Sequence, residues 1–170
     1  MTNPQCDAAR WADYSGALRA VLDEYARAIH DLERVMRSTS QAQYEARTDL
    51  SDETYPDMRA VSQHVACSAH SYVDYIEDAV DGVDRGRRER QVEFGTPAAM
   101  MKSTWDGFER MVVALGRVKH FTDDDMEKIG FDTRWGERFN MAQMLEHAIV
   151  HILRHRRQFE RWLVATARAD

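Results

Sequence analysis

The stretch LEHAIVHILRHRRQFERW sets His147, His151 and His155 at successive four-residue intervals within a helix-favouring segment. On an α-helix an i, i+4 pair is offset by about 40° around the axis and about 6 Å along it. Two imidazoles so placed can converge on one ion at the roughly 2.1 Å bond length of a nitrogen ligand. The alternative is a pair of core or boundary histidines satisfied by hydrogen bonds. His64, on the inward stripe of an earlier helical stretch with Val61, Val65 and Ser68, offers a third imidazole from a second helix. Three imidazoles from two facing helices make a facial set with open positions, which suits chemistry better than a closed four-ligand structural site does.

The other candidates are weaker. His147 lies about 80° from His155 around the helix, at the edge of such a site or facing solvent. His70 is about 240° from His64 and faces away, while His30 and His120 fall outside the cluster and read as surface or boundary residues. Cys67, one turn beyond His64, reads as a small buried hydrophobe before it reads as a ligand. No Glu stands three residues before any His and no HExxH is present, which argues against a ferritin-like di-iron set and a zinc-protease helix. Arg154, Arg156, Arg157 and Arg161 read as a solvated face whose charge suits a helix C-terminal half. Gln158, one turn past His155, either supports a ligand from behind or pairs across the fold. No general base is evident, because Glu146 points about 140° away from His151. Tyr72 and Tyr75 either position a substrate or are plain core.

Four stretches with apolar residues at helical spacing must position these groups. The first runs from Asp7 to Met36, with Trp11, Tyr14, Leu18, Leu22, Tyr25, Ile29 and Leu32 on one stripe. A polar stretch follows, ending in Pro56, which suits the first turn of a second helix running to about Val83. DGVDRGRRERQVEFG, charged and punctuated by Gly, reads as an exposed connection. Thr96 as N-cap and Pro97 at the first helical position open a third helix that ends near Gly116 and buries Met101, Trp105, Phe108, Val112 and Leu115. KHFTDDDMEKIGFDTRWGERF reads as a loop with one short turn at Asp123 to Lys128. Asn140 with Gln143 forms a capping box for a fourth helix from Met141 to about Thr166. Four such helices bury their stripes most simply as an all-α four-helix bundle.

Composition agrees. The 170 residues fit one domain over 1–170, and 44% hydrophobic with 31% charged residues, 8 Gly and 3 Pro favour helices over turn-rich β architecture. A formal net charge of −6 with interspersed basic residues argues against nucleic acid or an anionic membrane surface as partner. MTNPQCDAARWADYSGAL does not read as a secretory signal, and no run approaches the roughly 18 apolar residues of a membrane span. Two cysteines, Cys6 and Cys67, allow at most one bridge, so the expected setting is cytoplasmic and reducing.

With these residues placed, the chain resembles the DinB/YfiT-like four-helix superfamily, whose members carry a His on helix two and an HxxxH ahead of an HRxQ-type signature on helix four. SQHVACSAHSY supplies His64, and HILRHRRQ supplies His151, His155, Arg156 and Gln158. The resemblance implies a bundle of up-down-down-up topology, often dimeric, holding a divalent metal through three His at one end of the core. Relatives of this kind include metal-dependent thiol S-transferases that use bacillithiol or mycothiol and a mycothiol-dependent maleylpyruvate isomerase; others are taken to be hydrolases. The chain departs from the pattern in having Arg157 where a Gly commonly precedes the Gln, and in FDTRWGERF before helix four, which offers Arg134 and Trp135 as mouth residues.

The leading expectation is therefore a homodimeric, metal-dependent thiol S-transferase or hydrolase. His64, His151 and His155 would bind Zn²⁺, Ni²⁺ or Fe²⁺, and the substrate would be a small molecule, in the transferase case with a low-molecular-weight thiol as partner. A second expectation is a non-catalytic bundle that uses metal for stability or serves as a stress-response interaction module. A third has no metal, the histidines forming a hydrogen-bonded polar layer that sets helix register.

Overall fold

The computed structural model describes residues 9–86 and 88–169; the expected helix start at Asp7, and Cys6, lie outside them. The first helix, α1 (Gly16–Arg37), starts later than its apolar stripe suggests, because Ser15 caps it and accepts from the Leu18 N–H. Trp11 and Tyr14 precede it in a turn yet still serve the core. The Trp11 indole N–H donates to Asp23 at 2.7 Å, and the Tyr14 hydroxyl donates to the Val112 carbonyl at 3.0 Å. Helical spacing thus marked the right residues for burial while overstating the helix.

The polar connection after α1 contains a short helix, α2 (Gln41–Glu45), opened by a capping box between Ser40 and Gln43. It buries Tyr44, whose hydroxyl donates to the Phe94 carbonyl at 2.6 Å. Next comes α3 (Met58–Asp81), with Asp57 as N-cap accepting from the Ala60 N–H at 2.8 Å. Pro56 consequently lies just outside the helix and not in its first turn. The helix stops short of Val83 because Gly82, at φ +65°, takes the left-handed conformation that ends helices cheaply only at glycine.

Thr96 and Pro97 open α4 (Pro97–Gly116) as expected. A short helix, α5 (Asp123–Lys128), occupies the expected turn. The rest of that segment is an antiparallel hairpin of β1 (Gly130–Asp132) and β2 (Arg138–Asn140), with Phe131 opposite Phe139. Strands of three residues are too short to display a period of two, so the hairpin was not legible as such. It leads directly into α6 (Met141–Ala169), where Asn140 and Gln143 cap each other's backbone N–H at 2.8 and 3.0 Å.

The molecule is thus predominantly helical, with a small hairpin as its only described sheet. The α1 helix packs on α4 and α6, and α3 packs on α4 and α6, so the core lies between all four long helices. The α3 and α4 backbones come close at Gly107, where a Cβ would stand 2.9 Å from the Ala69 Cβ. The charged connection after α3 is largely exposed, as expected, but it is tethered. Asp74, 2% exposed on α3, accepts from Arg88 at 3.0 Å and from Arg90 at 2.8 Å, as well as from Arg110 of α4 at 2.8 Å. No described helix is long and apolar enough to cross a membrane.

Candidate metal centre

Packing of α3 against α6 brings His64 to His151 and His155. On α6 the stripe of Met144, Ala148, Ile152 and Phe159 is buried, and the arc that carries it also turns the two histidines inward. His151 and His155 are 8% and 5% exposed, while His64 is half-buried. The His64 and His151 Nε2 atoms are 2.9 Å apart, and one candidate ligand atom from each of the three rings lies within 4.8 Å of the other two. The ring centroids stand 4.8 Å (His64 to His151), 5.0 Å (His64 to His155) and 4.4 Å (His151 to His155) apart.

Two features prepare these rings as ligands. Burial, reinforced by the neighbouring imidazoles and Arg154, holds His151 down to about 2. Burial also brings His155 to about 4 and lowers His64, so all three are neutral bases at physiological pH. Second, Gln158 lies one turn beyond His155 with its Oε1 2.9 Å from His155 Nδ1. A proton on Nδ1 donated to that oxygen leaves the Nε2 lone pair free for the cluster.

The donor set fits a divalent metal. Ligands at about 2.1 Å from an ion are about 3.0–3.4 Å apart in octahedral or tetrahedral geometry, and the His64–His151 separation is already of that order. His151 Nδ1, on the far side of the ring from the cluster, is buried without a hydrogen-bond partner.

The triad opens into a cleft of about 770 Å³ between α3, α6, the hairpin tip and the loop before α3. Tyr72 and Tyr75 are both largely buried and both line it, so each is core and cleft wall at once. Arg134 and Trp135, expected at a mouth, stand there: the Arg134 guanidinium lies 4.9 Å over the Tyr75 ring, and its backbone N–H donates to the Tyr75 hydroxyl at 2.8 Å. Trp135 sits edge-on to Tyr75 and stacks on His147 at 6.1 Å.

His147 is at the edge of the site, 6.2 Å from His151 between ring centroids, and outside the converging set. Cys67 lines the cleft without joining that set. His70 turns toward Arg110, His30 packs on Trp105, and His120 is exposed. Arg156, part of the motif, faces α1 and pairs with Asp31 at 2.9 Å. Arg157 lines a neighbouring groove with Asp49, Leu50 and Glu160, whose wall Arg154 and Arg161 share with the histidine cleft, and it is not part of the cleft lining.

Three cleft residues, Ser71, Tyr55 and Asp52, carry no signal in the sequence that would place them there. Tyr55 tilts against His64 at 5.9 Å, and Asp52 is the single carboxylate of the described lining. Asp52 Oδ1 accepts from the Tyr55 N–H at 2.6 Å in a turn. Composition signals that turn, but nothing local says that it folds over the His64 end of α3. No protein-family model, curated protein or solved structure matches the chain.

Proposed function

We propose that the chain is a metal-dependent enzyme of the DinB/YfiT-like class, in which His64, His151 and His155 hold one divalent ion beside an open substrate cleft. The observation that carries this reading is the convergence of three neutral imidazoles at the floor of a cleft large enough for a small molecule. A bound Zn²⁺, Ni²⁺ or Fe²⁺ supplies Lewis acidity that makes a thiol or water more acidic at neutral pH.

The protein's own groups do the rest. Gln158 fixes the His155 tautomer, the edge of the Tyr72 ring limits His151, and Trp135 with Tyr75 shields one flank of the cleft from water. Burial raises the Tyr72 hydroxyl to about 12, so it keeps its proton and is available as a donor to substrate. Asp52, exposed at the rim, is the one carboxylate of the described cleft lining.

Pairwise contacts support the up-down-down-up order. Gly107 meets Ala69 and Arg117 pairs with Asp81, so α3 and α4 run the same way. His64 meets His155 while Tyr72 meets His147, which opposes α3 to α6. Arg156 pairs with Asp31, and the Trp162 indole N–H donates at 3.3 Å to Ala46, beyond the end of α1, which aligns α1 with α6.

The test is elemental analysis of untagged protein, wild type against His151→Ala, followed by a screen of the metal-loaded protein with low-molecular-weight thiols and monochlorobimane. The expected result is about one divalent ion per chain, lost in the variant, with thiol-dependent turnover. Protein that takes up none of the three metals on reconstitution would sink the proposal. Metal uptake without turnover for any thiol or ester would favour a structural metal instead.

A further inference from the structure

The formal net charge of the chain is −6, yet the lining of the histidine cleft carries three arginines, Arg134, Arg154 and Arg161, against one carboxylate. Several arginines elsewhere in the described structure are spent on carboxylates: Arg88, Arg90 and Arg110 converge on Asp74, and Arg156 takes Asp31. Exposed Arg19, Arg47 and Arg157 are not, and what sets Arg154 and Arg161 apart from those three is that they line the histidine cleft. Neither makes a side-chain hydrogen bond or ion pair among the described residues, and they lie about two helical turns apart on α6, flanking His155 and Gln158 along the cleft.

Arg134 is held ready by other means, through the Tyr75 face and a hydrogen bond at 2.7 Å to the Gly86 carbonyl, neither of which neutralises its charge. The histidines bear no negative charge and offset none of this excess. A divalent ion bound by uncharged imidazoles would add to the positive excess, and a cleft walled by protein strengthens such fields relative to bulk water.

We propose that this cleft takes an anionic substrate, whose carboxylate or phosphate group is paired by Arg154 and Arg161 while the rest of the molecule reaches toward the histidines. The inference rests on reading the cleft as a substrate site. It draws on arginines that are not metal ligands, so the two can fail separately. Guanidinium groups suit either oxyanion because they present paired N–H donors in a plane.

The experiment is an NMR titration of metal-free and Zn²⁺-treated protein with succinate, inorganic phosphate and the neutral isostere succinamide, in wild type, Arg154→Gln, Arg161→Gln and Arg157→Gln. All three arginines are exposed, so the variants are expected to fold, which circular dichroism checks. The expected result is saturable binding of succinate or phosphate that shifts cleft resonances, with succinamide about tenfold weaker or worse. Arg154→Gln and Arg161→Gln should each weaken the anion by about tenfold, and Arg157→Gln, in the adjoining groove, should not. Which of the two anions binds better separates a carboxylate from a phosphate substrate.

Equal binding of succinate and succinamide, no saturable binding of either anion, or equal losses in all three variants would overturn the proposal. Anion binding that appears only with Zn²⁺ and survives both cleft variants would overturn it too, while leaving the metal site standing. Arginine-dependent binding in a protein that takes up no Zn²⁺ would support it and remove the metal reading.

Discussion

His155 Nδ1 stands 2.9 Å from Gln158 Oε1, one helical turn away, so a residue outside the cluster governs which nitrogen His155 turns into it. The amide oxygen can only accept, and the imidazole must therefore carry its proton on Nδ1.

Gln158→Leu should accordingly weaken Zn²⁺ binding by about 10–100-fold while leaving the fold intact, because the ring loses the acceptor that sets its tautomer. Gln158→Glu should preserve or strengthen binding. Competition against a chromophoric chelator measures both, and an unchanged affinity in Gln158→Leu would show that the contact has no bearing on the site.

Metal should stabilise the folded chain through the same three residues. At a free Zn²⁺ concentration about 100-fold above Kd, linkage supplies about 2.7 kcal/mol, which in a chain of this size raises Tm by about 5–10 °C. Chelation should reverse the shift in wild type and have no effect on His64→Ala or His151→Ala. Differential scanning calorimetry with and without chelator decides between this and a metal-free polar layer, for which chelation would change nothing in any of the three proteins.

Asp74 should be the most costly single charge to remove. Its carboxylate is 2% exposed and faces Arg88, Arg90 and Arg110; Arg88 and Arg110 also pair with Glu77, so Asp74→Asn leaves Arg90 without a carboxylate and takes charge-assisted hydrogen bonds from the other two, at a loss of about 1.5–3 kcal/mol in urea unfolding. The pH dependence has a definite sign. Burial alone would raise this carboxyl, but hydrogen bonds from Arg110 and Arg90 outweigh it and hold the group below 3.8. The unfolded chain therefore takes up the proton first. The contribution is complete above an unfolded pKa of about 3.8 and is lost as pH falls through the lower folded value. The stability gap between wild type and Asp74→Asn should stay constant from neutral pH down to about 5 and close below about 3.8.

Gly107→Ala tests the close approach of α3 and α4. Alanine favours the helix by about 1 kcal/mol over glycine. The new methyl would stand 2.9 Å from the Ala69 Cβ and 3.1 Å from its carbonyl carbon, and a backbone atom cannot swing aside as a side-chain tip can. Overpacking of about 1–3 kcal/mol should win, giving a net loss in urea unfolding. A net gain would mean that the two helices can slide apart freely.

Much of the helical plan was legible because it is local. The Thr96 cap with Pro97, the Asn140–Gln143 box and the short turn at Asp123 each depend on side chains within a few residues of the backbone they satisfy, and each formed where expected. The start of α1 did not follow its apolar stripe, because Trp11 and Tyr14 reach the core from a turn, where periodicity cannot distinguish burial from helix. The hairpin and α2 were hidden for a different reason. Segments of three to five residues carry too little pattern, and they are held by contacts such as Tyr44 to Phe94 and Arg134 to Tyr75, whose partners lie far away in sequence.

The candidate site divides in the same way. The spacing of His151 and His155, with Gln158 a turn beyond, is a property of one helix, so the amino-acid sequence alone determined that two imidazoles could share a target and that an amide could stand behind one of them. Whether His64 meets them, whether Arg154 and Arg161 face the cleft while Arg156 and Arg157 do not, and which carboxylate reaches the rim were decided only by how α3, α6, the hairpin and the loop before α3 pack together. Helical geometry is set by hydrogen bonds four residues apart and can be read along the chain. Convergence of groups 87 or more residues apart depends on which apolar faces find each other, and that is settled only when the whole core closes.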